Sequence, residues 1–149
     1  MPDRFTSAPT LDRITADTFT LRRALRALPV DHAHVLAARI TDAQQLAGTA
    51  LRLFLDLAQH ASQPSPADLL ALDRVAQIAK AAQDAGAELT AALARAVENR
   101  RRQAGAASGR VVLVGPSPQQ FIESAVDLLD RIPALSHATS RDRLIPLSR

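Results

Sequence analysis

The sequence predicts an all-α protein, and three observations predict it. Alanine, the best helix former, is abundant along most of the 149 residues. Aromatic residues amount to four Phe, with no Trp or Tyr, so the side chains that favour strands are sparse. Apolar residues recur at alternating steps of three and four over two long stretches, which lines one face of a helix. Together these predict a long antiparallel helical hairpin. Two shorter helices complete it into a four-helix-bundle-like domain over residues 15–135. A flexible arm is expected over residues 1–14 and a flexible, Arg-containing tail over residues 136–149.

The first fourteen residues are polar and contain Pro2 and Pro9, hence the expected arm. Asp17 can cap a short helix to about Leu28, with Leu21, Ala24, Leu25 and Leu28 on one face. Pro29 ends it, because a proline disfavours helical geometry in the residue before it. The first long helix is expected over about residues 31–61. Its seam is Leu36, Ile40, Ala43, Ala47, Leu51, Phe54 and Ala58, broadened by Val35, Ala50, Leu55 and Leu57. Thr41, Asp42 and Gln44 could mimic an internal cap near Ile40. Ser62, Gln63 and Pro64 form a short connection, which makes its two long neighbours antiparallel.

The central helix is expected over about residues 66–103. Ser65 is a good N-cap, Pro66 suits the first helical position, and Asp68 complements the positive end of the dipole. The seam is Leu72, Val75, Ala79, Ala82, Gly86, Leu89, Leu93 and Ala96, widened by Leu69, Ile78, Ala85 and Ala92. Gly86 reads as a point where a neighbouring helix comes close, with a local weak spot as the other reading; Gly48 in the preceding helix is of the same kind. Arg100, Arg101 and Arg102 fall in the last turn, where cations suit the dipole, and Gly105 follows as a stop.

Beyond Gly105, residues 110–115 are the one strand-like run. It is expected to pack over the bundle as an extended segment, with pairing to its copy in a dimer as the alternative. Ser117, Pro118 and Gln120 repeat the start signal for a helix to about Ile132, which Pro133 stops. Phe121, Ala125, Leu128 and Ile132 face inward. Within the tail, Leu144, Ile145 and Leu147 could dock.

Charge and composition narrow the function classes. The chain has no cysteine, which excludes thiolate catalysis and cysteine-ligated zinc and fits a reducing cytoplasm. Met1 to Thr10 has no apolar core, so no secretory signal is expected, and no apolar run approaches the roughly 20 residues of a membrane span. Lys80 is the only lysine among 18 basic residues. With the alanine excess, that reads as a GC-rich coding bias of bacterial type. The net charge of +3 is unevenly placed, with eight basic and four acidic residues from Arg100 onward. Such an asymmetry can mark an acidic partner or nucleic acid.

No motif points to catalysis. Val111 to Ser117 places one glycine between an apolar run and a helix start, but a phosphate loop needs more backbone donors and a lysine. His32 and His34 are two apart, which on a helix turns them about 200° from each other. Asp127 and Asp130 are three apart, with Asp56 on another helix, and nothing converges on them. No catalytic, cofactor-binding or metal-ligating residue is therefore nominated, and no cofactor.

The expected function is a non-catalytic interaction or scaffold protein working through helix–helix contacts. Its packing interface would comprise Leu51, Phe54, Gly86, Leu89 and Leu93, and its partner a second copy or another helical protein. The alternative is a nucleic-acid-associated accessory protein that uses Arg100, Arg101, Arg102, Arg110 and the C-terminal tail.

Overall fold

The computed structural model describes residues 3–28, 32–60, 62–106, 109 and 113–144. Among these, all regular structure is helical: α1 (Asp3–Arg26), α2 (Ala33–Gln59), α3 (Pro66–Gly105), α4 (Pro118–Leu129) and α5 (Ile132–Leu144). The all-α bundle expected from composition and periodicity is the fold found.

Helices α2 and α3 share the most extensive interface. Only Asp130 and Arg131 separate α4 from α5, and backbone bonds from Arg131 to Leu128 and from Leu135 to Arg131 bridge the break. The two short helices thus act as one interrupted fourth rod. Thr15 meets Ser136 and Arg22 meets Asp130, so this rod runs antiparallel to α1. It also flanks α3, where Arg74 donates to the Ala138 carbonyl at 3.0 Å. Four sides close around a core of Leu11, Ile14, Leu25, Leu36, Ile78, Leu89, Ile122, Leu129 and Ile132, all fully buried. Alanines at 43, 82, 85, 92 and 125 fill the space between them. Small side chains of this kind permit the close helix spacing expected of an aromatic-poor core.

The helix starts follow their caps. The Ser65 hydroxyl accepts from the Asp68 amide at 3.1 Å, and the Asp68 carboxylate accepts from the Ser65 amide at 3.0 Å. Ser117 and Gln120 reproduce this reciprocal pair at α4. A break near Ile40 does not occur: α2 is continuous, and the Thr41 hydroxyl donates back to the Ala37 carbonyl instead of capping.

Both termini correct the sequence reading. Residues 3–14 belong to α1 rather than to a flexible arm, and Leu11 and Ile14 lie in the core. They extend a three-and-four seam through Thr18, Leu21 and Leu25 that Pro9, tolerated inside α1, had masked. Residues 136–144 likewise belong to α5 rather than to a flexible tail, with Ser136 and Thr139 buried. Pro133 does not stop a helix; it sits in the first turn of α5, where its missing N–H costs nothing. The short polar residues at this contact bond to backbone carbonyls, two within their own helix and one across to its neighbour. Thr18 donates to the Ile14 carbonyl at 2.7 Å, Thr139 to Leu135 at 2.7 Å, and Ser136 crosses to the Leu11 carbonyl at 3.1 Å. Ile145 and Leu147 lie outside the described residues.

The strand-like run falls partly outside them too, at Arg110, Val111 and Val112. Its described part, Leu113 to Gly115, is an exposed loop and not a strand. Gly115 turns it with φ +95°, and the Arg95 guanidinium holds it to α3 through the Val114 carbonyl at 2.8 Å.

Candidate interaction surfaces

The residues nominated for helix packing divide between the interior and the surface. Leu89 is fully buried, and Gly86 is buried with the Cβ of Ala43 on α2 opposite it. Phe54 and Leu93 are half-buried at the margin of the core. Leu51 points away from it, 43% exposed. Gly48 has no atom within 4 Å of where a Cβ would stand, so it is not the counterpart of Gly86 across the hairpin. Helix α3 is continuous through Gly86.

Exposed apolar side chains gather at two ends of the hairpin. At the α2–α3 turn, Leu51, Leu55, Leu69 and Leu70 are each 43–55% exposed. Leu51 and Leu55 are four apart and so share one side of α2. In the antiparallel hairpin, Gly86 opposite Ala43 brings Leu69 and Leu70 to the same end as Leu55. The sequence placed Leu55 and Leu69 at the edges of the seams. Residues 66–70 at the start of α3 are all exposed as well. At the opposite end, Val97, Leu113 and Val114 are exposed beside an open groove of about 760 Å³. Ala33, Val97, Arg100, Arg101, Leu113 and Pro118 contribute to its walls.

The basic cluster lies at this second end, and its charges are not equivalent. Glu98 accepts from Arg101 at 2.9 Å and from Arg102 at 2.8 Å, one turn away on α3. Hydrogen bonds from Arg101 and then Arg102 hold the Glu98 carboxyl down to about 2, against an ordinary value of 4.5. The same contact raises Arg101. Arg100 is exposed, and Arg110 lies outside the described residues. The triple arginine therefore presents less free positive charge than its composition suggests.

The histidines differ in detail from the helical-wheel expectation. His32 is the N-cap of α2, outside its helical geometry, so its ring lies edge-on to that of His34 with centroids 5.8 Å apart. His60 closes the other end of α2, its Nδ1 bonded to the Asp56 carbonyl at 2.6 Å. The three acids do not converge. Asp130 pairs with Arg22, whose guanidinium also lies 5.3 Å above the Phe19 ring, while Asp127 and Asp56 are exposed. Among the described residues, no three His, Asp or Glu side chains are placed to hold a metal ion, and no helix is long and apolar enough to cross a membrane. No protein-family model, no curated protein and no solved structure matches this chain.

Proposed function

We propose that this protein is a non-catalytic interaction module that works by helix–helix docking through the outer side of the α2–α3 hairpin. One observation carries the reading. Leu51, Leu55, Leu69 and Leu70 are exposed toward one end of a hairpin whose inner side is packed against α1, α4 and α5. Exposed leucines cost solvation free energy that a docked helix removes, at roughly 25 cal/mol per Å² of apolar surface covered. The nucleic-acid alternative draws less support, because Glu98 engages two of the three clustered arginines. No described aromatic interleaves them for base stacking.

The test is sedimentation velocity on the full chain over a wide concentration range, with the Leu51→Ser/Leu55→Ser/Leu69→Ser variant beside it. Self-association of the wild type that the variant loses, with helicity unchanged, supports the reading. A wild type that stays monomeric at several hundred micromolar overturns it. Binding to a short DNA duplex that weakens steeply with salt would favour the alternative instead.

A further inference from the structure

The outer side of α2 carries more than leucines. Gly48, Leu51 and Leu55 follow one another at steps of three and four, so they form one row along the helix. At Gly48 the backbone is open, with nothing within 4 Å of a Cβ position. Beside this row stand two opposite charges, Arg52 and Asp56, four residues apart and both exposed. That spacing suits an ion pair within the helix, and comparable pairs do form at Arg13–Asp17 and Lys80–Asp84. Arg52 and Asp56 do not pair. Arg52 donates instead to the Thr49 hydroxyl at 3.3 Å.

We infer that this face is an isologous interface with a second copy of the chain, in which the two α2 helices cross antiparallel about a two-fold axis level with Phe54. The inference rests on the docking function proposed above and names its partner and geometry. The charge pattern argues for the second copy. In a two-fold contact, residue i of one copy faces residue j of the other and j faces i. With the axis level with residue 54, Arg52 of each copy stands opposite Asp56 of the other, so the same pair forms twice. A parallel alignment would set arginine against arginine and aspartate against aspartate. Between the two charge pairs lies Leu55, with Leu51 one turn along, and Gly48 adds no side chain to hold the backbones apart.

Charge reversal tests the geometry directly. Arg52→Asp gives a copy with two acids at these positions, and Asp56→Arg gives one with two arginines. Each variant alone faces its own like charges twice and should dissociate at least roughly tenfold more readily than the wild type. An equimolar mixture should form mixed dimers in clear preference to either homodimer, counted by native mass spectrometry. The double variant Arg52→Asp/Asp56→Arg should dimerise within about threefold of the wild type, since the pair is merely exchanged. These positions are on the surface, so folding should be unaffected, and circular dichroism of each variant checks it. A dimeric wild type whose mixed variants assort at random overturns the antiparallel geometry and leaves the docking function standing. A wild type that remains monomeric overturns both.

Discussion

Replacing Gly86 by alanine should stabilise the protein, although a buried glycine at a helix crossing is usually taken as obligatory. The perturbation adds one methyl inside α3. A glycine in a helix interior costs about 1 kcal/mol relative to alanine, because its unfolded backbone has more freedom to lose. The new methyl would stand 3.6 Å from the Cβ of Ala43, an ordinary van der Waals contact and not a clash. Its burial contributes up to about 0.8 kcal/mol more. The expected gain is therefore about 1–2 kcal/mol. With a urea m-value of roughly 2 kcal/mol/M, the unfolding midpoint should rise by about 0.5–1 M. Equilibrium unfolding followed by far-ultraviolet circular dichroism reads this, with wild type and variant at the same protomer concentration, since self-association couples to stability. Gly48→Ala, measured at a protomer concentration too low for self-association because Gly48 lies on the proposed docking face, is the comparison. Nothing lies within 4 Å of its Cβ position, so it should show the propensity gain of about 1 kcal/mol without the packing increment. A fall in the Gly86→Ala midpoint alongside a rise for Gly48→Ala would refute the reasoning. It would mean that α2 and α3 sit closer in solution than a methyl allows.

Three further outcomes follow from single sites. Leu11→Ala should cost about 2–5 kcal/mol in the same assay, because Leu11 is 1% exposed within the core; a change near zero would return residues 1–14 to a flexible arm. Gly115→Ala should destabilise by about 1–2 kcal/mol, since φ +95° is unfavourable for a residue with a Cβ, which would also meet the Arg95 guanidinium at 2.9 Å; an unchanged midpoint would show that the loop is not held in this conformation. Glu98→Gln should lower stability at neutral pH but not in strong acid. A carboxyl whose pKa is depressed on folding contributes stability above its unfolded value, and that contribution disappears as pH falls through the folded one. The gap between wild type and Glu98→Gln should therefore close between about 4.5 and about 2 and narrow at high salt; a gap undiminished at pH 2 would contradict the arginine clamp.

What the sequence by itself determined was local. Capping chemistry set the starts of α3 and α4, since Ser65 with Asp68 and Ser117 with Gln120 need only neighbours within one turn. Periodicity and the short 60–65 connection set the hairpin, because a seam of leucine and alanine has to meet another. Punctuation by proline was less reliable. Pro9 is carried inside α1 because burying Leu11 and Ile14 outweighs what a proline costs there, whereas Pro133 opens α5 at a first-turn position where its missing N–H costs nothing. Tertiary structure alone decided which members of a seam face inward. Leu51 and Leu89 look equivalent in sequence, yet one is 43% exposed and the other fully buried. Ala50 and Leu53, at the same level of α2, are buried, so the difference lies in which side of the helix meets the neighbouring rods. The same holds for the charges. The triple arginine reads as a block of positive charge, but Glu98 lies one turn back and draws two of the three arginines to itself. Arg52 and Asp56, at a spacing that commonly pairs, stay apart because the Arg52 guanidinium turns to Thr49 instead. Those two outcomes depend on side-chain direction, which only the folded helix sets.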